Sequence, residues 1–259
     1  MPSCTIKFLF LVGMVFRLLP AMAQEKVSIV GFQLKPVFTS TLLGTGMETF
    51  SDSGFTYSVG QKTGFAAGMI IRRGYTKNLS LEFGINYCRR NIHIESEYGS
   101  EQSRSDMRII GYEIPVSQLV FVRLSKHIYM NVSAGLCLNM FPSDVQSVNE
   151  RIYAIAGRKL ILNPSLLANL GFEYRTEKRG YFYLGASFNR PFSPIYGVAI
   201  DYYQNKTIVN SVVHSMNGSY LTVDFRYFFH EDPEKRKARS ASSKKKTPPA
   251  KGNPTQEKP

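Results

Sequence analysis

The 259-residue chain has no tryptophan, only three cysteines and four histidines. Past its amino terminus no stretch approaches 18 consecutive apolar residues, so helical membrane spans are excluded. Cys4 lies in the leader, leaving Cys88 and Cys137 in the body. Two thiols are too few to staple so long a chain, and the fold must hold without a disulfide framework. Metal-ligand spacings are missing as well. So is a phosphate-binding fingerprint, because Gly44-Thr45-Gly46 is not followed by a strand–helix unit. A net charge of +13 raises the question of nucleic acid. The excess is concentrated at the ends, however. Residues 230–259 carry nine Lys/Arg against four Asp/Glu, while residues 24–229 carry 21 basic and 15 acidic residues. No nucleic-acid-binding motif accompanies them, and no nucleic-acid partner is expected.

What is present begins with MPSCTIKFLFLVGMVFRLLPAMAQ. A basic start, an apolar run from Phe8 to Phe16 and the small-x-small end Ala21-Met22-Ala23 read as a secretory signal peptide over 1–23. The closing EKRKARSASSKKKTPPAKGNPTQEKP has no hydrophobic core-forming residue larger than alanine, so 230–259 reads as a basic disordered tail. Between them lies one domain, 24–229.

That domain is built from strand-length stretches in which apolar and polar residues alternate. They fall at 27–38, 63–73, 79–88, 109–124, 128–140, 164–175, 180–189 and 219–229. LSLEFGINYC places Leu79, Leu81, Phe83, Ile85 and Tyr87 on one face, with Ser80, Glu82, Gly84, Asn86 and Cys88 on the other. The connections alternate too. GYTKN, SKH and TEKRG are short turns, whereas 39–62, 90–108, 142–159 and 190–218 are long, polar and expected to be mobile. Eight segments of about ten residues, with short turns at one end and long loops at the other, are the layout of an outer-membrane barrel. The expected fold is therefore all-β: an eight-stranded antiparallel up-and-down transmembrane β-barrel with both termini in the periplasm. A soluble sandwich is the alternative fold.

An eight-stranded barrel is filled by its own side chains. The inward set is Lys35, Arg72, Glu82, Glu113, Arg123, Glu173, Arg175, Asp224 and Arg226. Charges withdrawn from water need partners, so this near-balanced set predicts a salt-bridged plug, placed in the periplasmic half because Arg72, Glu82, Arg123, Glu173, Arg175, Asp224 and Arg226 all lie there. Unpaired inward charges would instead favour a small passive channel. Cys88 and Cys137 face inward with one strand between them, about 9–10 Å apart across the wall. That spacing favours two unpaired thiols over a bridge. For catalysis, only His214, between Ser211 and Ser215, is placed to activate a nucleophile. A lone histidine among loop serines makes a lipid-modifying enzyme the weaker reading, and no cofactor is expected.

GYEIPVSQLVFVRL, followed by a short turn and IYMNVSAGLCLNMF, resembles the PorT-like family of bacterial outer-membrane β-barrel proteins. The resemblance spans about 27–229. It implies export, insertion by the barrel-assembly machinery and an eight-stranded barrel in contact with outer-membrane lipid. It also implies that Tyr227 and Phe229, ending SYLTVDFRYFF, form the assembly signal, and it suggests a secretion-accessory role. The tail could tether the barrel to a periplasmic cell-wall polymer or partner protein.

Overall fold

A computed structural model describes residues 28–40, 46–177 and 179–230. The signal peptide expected at 1–23, and the tail beyond His230, lie outside these residues. The described residues form thirteen strands and no helix. In chain order these are β1 (Ser28–Phe38), β2 (Glu48–Asp52), β3 (Phe55–Gly74), β4 (Leu79–Tyr98), β5 (Glu101–Arg123), β6 (Ile128–Met140) and β7 (Val145–Val148). They continue with β8 (Ile152–Arg158), β9 (Leu162–Arg175), β10 (Tyr181–Pro191), β11 (Tyr196–Gln204), β12 (Thr207–Met216) and β13 (Tyr220–Phe228).

Eight of them close a ring. The hydrogen-bonded order is β1-β13-β10-β9-β6-β5-β4-β3, and β1 also pairs with β3, so no edge is left in the ring. All pairings are antiparallel. These are the eight segments that the alternation marks. Their outer face is apolar all the way round, with Phe32, Leu34, Ile85, Leu136, Leu170, Phe172 and Leu184 each about half exposed. Short turns join them at one end. In one of these turns Gly180 holds φ +95°, and a Cβ there would meet the Phe228 carbonyl oxygen at 2.2 Å.

The four long connections are not the mobile loops that their polarity suggests. The first forms β2 and the upper part of β3, joined by a two-residue turn with Ser53 and Gly54 both at positive φ, the backbone that favours glycine. The second is a continuous extension of β4 and β5, paired from Arg89 to Tyr98 with Glu101 to Ile110. The third and fourth build a separate four-stranded sheet, β12-β11-β8-β7.

This sheet packs against the extended β3–β4–β5 wall and buries an apolar core. Phe55, Tyr57, Val59, Ile92, Ile94, Met107 and Ile109 come from the wall, and Ile152, Ala154, Ala156, Val198, Ile200 and Tyr202 from the sheet. Side chains stitch its two margins. On one margin Tyr57 donates to Asn210 Oδ1 at 2.8 Å and Asn210 Nδ2 donates to Asp52 Oδ2 at 2.8 Å. Burial pushes the Tyr57 phenol up to about 12, with Asp52 adding to the shift, so it stays a donor at neutral pH. On the other margin Ser105 donates to Ser147 and Asn149 Nδ2 to the Arg104 carbonyl. A compact cap thus sits on the long-loop end of the ring. Its core residues alternate along short strands, and their outward partners are what make these segments read as polar loops.

Candidate functional site

The interior of the ring holds eight of the nine expected charges, seven of them organised as a chain of alternating sign. Lys35 Nζ lies 3.7 Å from Asp224 Oδ2, to which Arg226 Nη2 donates at 2.6 Å. Arg226 also donates to Glu82 through Nη1, and Arg72 Nε donates to the same carboxylate at 3.1 Å. Arg72 Nη1 then donates to Glu173, which accepts at its other oxygen from Arg175 Nε at 2.6 Å. All but Arg175 are buried. Ser187, Thr222 and Asn169 donate further hydrogen bonds to Asp224, and Tyr183 donates to Asn169 Oδ1 at 2.6 Å. Arg72 lies over Phe228 at 3.9 Å and Arg226 over Tyr183 at 4.6 Å, so ring faces cover the guanidinium faces.

A second, separate group lies higher, beneath the cap. Arg90 Nη2 donates to Glu113 Oε1 at 3.1 Å and its Nη1 to the Gly218 carbonyl at 3.0 Å. The Tyr220 hydroxyl donates to the same Glu113 oxygen, and its ring lies 4.5 Å from the guanidinium. Arg90 is absent from the sequence-derived set because alternation alone ends the segment at Cys88. It is the next inward position of the same strand, so continuing the period of two was the signal that would have found it. Arg123 departs in the other direction. It is the last residue of β5, is exposed, and donates to the Ser125 carbonyl of its own turn at 3.1 Å. The strand carries it past the network, so it does not join the inward cluster.

The buried charges of the ring number four cations (Lys35, Arg72, Arg90, Arg226) and four anions (Glu82, Glu113, Glu173, Asp224), and each has an ionic partner. Between Gln33, Lys35, Glu82, Asn169 and Arg226 remains a void of about 10 Å³, the room of about one water molecule. Cys88 and Cys137 are both buried and free. Cys88 stands opposite Gly111 and Cys137 opposite Pro115, so they are offset by four residues along the intervening β5. That adds about 13 Å along the strands to the spacing across the wall and removes any route to a bridge.

His214 belongs to the cap. Its Nε2 lies 3.1 Å from Glu48 Oε2, and its ring stacks on Phe50 at 5.0 Å. The flanking serines bond elsewhere, Ser211 to Asp201 and Ser215 to Lys159. The histidine is thus held by a carboxylate and a ring, with neither serine bonded to it. Tyr227 and Phe229 sit on the outer face at the short-turn end, ring centroids 5.3 Å apart, with Phe229 also 5.6 Å from Phe32. The Phe229 amide donates to Val30 and closes the β13–β1 ladder.

No protein-family model matches the chain, and no curated protein matches its sequence. Among solved structures it is similar to the outer membrane protein OprG from Pseudomonas aeruginosa. The identity is 13%, covering 79% of this chain and 96% of that one, with a TM-score of 0.50. The protease OmpT from Escherichia coli (10% identity, TM-score 0.36) and the translocator domain of the autotransporter NalP from Neisseria meningitidis (11%, 0.34) also match, over 82% and 88% of this chain. The last two scores are too low to carry an argument. The closed ring and the likeness to OprG define the fold as that of an outer-membrane β-barrel.

Proposed function

We propose that the chain is a non-catalytic outer-membrane protein whose sealed barrel carries the cap at the cell surface as an interaction module. The observation behind this reading is the inversion of polarity along β4. From Leu79 to Tyr87 the outward residues are apolar and the inward ones polar. From Asn91 to Glu97 the outward residues are Asn91, His93, Glu95 and Glu97, while Ile92 and Ile94 are buried in the cap core. An outer face that is greasy at one level and charged at the next fits a wall passing from lipid into water. On β5 the apolar band runs from Ile110 to Val122, about 30 Å for a strand tilted by about 40°. The long-loop end is then extracellular and both termini are periplasmic.

Outer-membrane lipid is the partner of the apolar face, and the barrel-assembly machinery is proposed to read Tyr227 and Phe229. The PorT-like resemblance supports a secretion-accessory role, with the tail reaching a periplasmic polymer or protein. A passive channel is disfavoured by the paired interior charges and by a void of one-water size. A lipid-modifying enzyme is disfavoured because Ser211 and Ser215 bond to Asp201 and Lys159, which leaves His214 without a nucleophile to activate. The test is envelope fractionation followed by gel electrophoresis with and without boiling. The protein is expected in the outer-membrane fraction, with a faster band before heating. A soluble protein without that shift would overturn the barrel reading. Single-channel conductance in planar bilayers would overturn the sealed interior alone.

A further inference from the structure

The alternating chain of charges does not balance. Lys35, Arg72, Arg226 and Arg175 are four cations, joined through only three carboxylates, Asp224, Glu82 and Glu173. The surplus charge lies at the end nearest the short turns, on Arg175. This residue lines an open cavity of about 410 Å³ at the short-turn mouth, together with Arg72, Lys77, Tyr75, Phe121 and Tyr181, and among the described residues no carboxylate lines it.

Arg175 is fixed in place there. Its Nε is bonded to Glu173, and its guanidinium lies 4.0 Å from the Tyr129 ring, 4.8 Å from Phe121 and 5.3 Å from Tyr181. Its two terminal nitrogens make no hydrogen bond among the described residues, and its side chain is 27% exposed. Behind it, Arg72 Nη2 is buried and lacks an aligned acceptor, although Glu82 is 3.1 Å away. A guanidinium held flat by aromatic rings, with its fork of donors open, is pre-organised to take an oxyanion in bidentate fashion. The volume is that of a small-ligand pocket. The planar fork matches a single carboxylate, and the aromatic walls suit an apolar side chain beside it.

We propose that the short-turn mouth binds a peptide through its carboxylate, with Arg175 as the bidentate anchor and Lys77 as a second cation. Placing that peptide in the periplasm rests on the membrane orientation proposed above. The binding itself does not, so the two can fail separately.

The test uses the full chain folded in detergent micelles. A fluorescein-labelled Ala-Phe-Ala peptide with a free carboxylate is titrated against its amidated twin, with fluorescence anisotropy as the readout. The acid is expected to bind at least about tenfold tighter than the amide, and Arg175→Gln to remove that preference, as loss of a charge-assisted bond implies. Arg175→Lys should restore only part of it, since an ammonium lacks the fork. Arg123→Gln, at the neighbouring turn, should change nothing. Equal binding of acid and amide overturns the proposal, as does an Arg175→Gln variant that keeps the preference. Displacement by inorganic phosphate at lower concentration than by acetate would overturn the carboxylate assignment in favour of a phosphate-bearing ligand. If Arg175→Gln loses the heat-shifted band, Lys77→Gln on the exposed turn decides. Weakened acid binding there supports the site, and unchanged binding overturns it.

Discussion

The lower ring and the upper cap share three strands yet follow opposite rules. Below Arg89 the wall of β3, β4 and β5 turns apolar residues outward and polar ones inward. Above it the same wall buries Ile92, Ile94, Met107 and Ile109 and turns Glu95, Glu97, Arg104 and Asp106 outward. Backbone hydrogen bonding continues unbroken across the change in β4–β5, so pairing cannot be what differs. What differs is the medium proposed for each level, lipid outside the ring and water outside the cap. β3 uses another device to reach the same end. Its register shifts between Lys62 and Phe65, and an inserted residue exchanges the two faces of a strand. Phe55, Tyr57 and Val59 therefore face the cap core, whereas Phe65 and Met69 face outward.

The sharpest way to break the comparison is to neutralise a carboxylate in each half of β4. Glu82 serves both Arg72 and Arg226. Glu82→Gln leaves Arg72 only Glu173 and Arg226 only Asp224, so that four cations share two carboxylates, and should cost about 3–5 kcal/mol, read as a lower midpoint for losing the heat-shifted band. Glu95 pairs with Arg104, which is largely exposed. Glu95→Gln should therefore cost less than about 1 kcal/mol. Equal losses would mean that the two halves do not differ in the way described. The next test reverses the emphasis. Ile200 is completely buried in the cap core, and Ile200→Ala should cost about 2–5 kcal/mol. That loss should appear as faster amide exchange in β8, β11 and β12, with the heat-shifted band of the ring retained. A joint loss of both would show that ring and cap unfold as one unit.

Most of the ring was legible in the sequence because its alternation obeys one rule. Lys35, Arg72, Glu82, Glu173, Arg175, Asp224 and Arg226 were placed inward by parity alone, and they meet. Position along the strand left Glu113 and Lys35 out of the periplasmic group; Glu113 does stand apart with Arg90, whereas the long Lys35 side chain reaches Asp224 and joins the network. Parity could not exclude Arg123, which is one position too near the strand end to reach inside. The cap was missed for a physical reason. In RRNIHIESEY the period of two persists, but its charged face is the one in water, so composition reads as loop. Ile92 and Ile94 carried the signal, as did Val198, Ile200 and Tyr202. The turn at Asn205 and Lys206, both at positive φ, also marked a hairpin between β11 and β12. The offset of the two cysteines depended on register, which no single strand encodes.

The proposed change of medium can be sharpened on the outer surface. Val116 lies in the middle of the apolar band on β5 and is 44% exposed, while Val213 on the cap is 74% exposed. Exposure alone would rank Val213 as the greater liability. If lipid surrounds the ring and water the cap, Val116→Arg should cost about 2–4 kcal/mol in refolding into bilayers. Val213→Arg should then stay within about 0.5 kcal/mol. Similar small effects at both sites would remove the basis for a membrane boundary between them.

The smallest expected effect lies just above that boundary. Asp106 accepts from Lys62 at 3.2 Å and lies 2.6 Å from His93 Nδ1. The His93 hydrogen bond holds the Asp106 carboxyl below its ordinary 3.8 against the opposing effect of burial, and Lys62 adds to the lowering. A depressed carboxyl contributes stability above its unfolded value and loses it as pH falls through the folded one. The contribution should therefore be intact at pH 5, start to fall near the ordinary 3.8 and vanish only below the lowered folded value. Because Asp106 is 65% exposed, water screens the pair and the effect should be under about 1 kcal/mol. Amide exchange at the top of β4 and β5, compared between the wild-type chain and Asp106→Asn, reads it directly. The two should differ at pH 5 and converge as the carboxyl is protonated. A difference that survives there would assign the role of Asp106 to hydrogen-bond geometry instead of charge. The contrast between a screened pair outside the wall and an unscreened network within it would then have to rest on Glu82 alone.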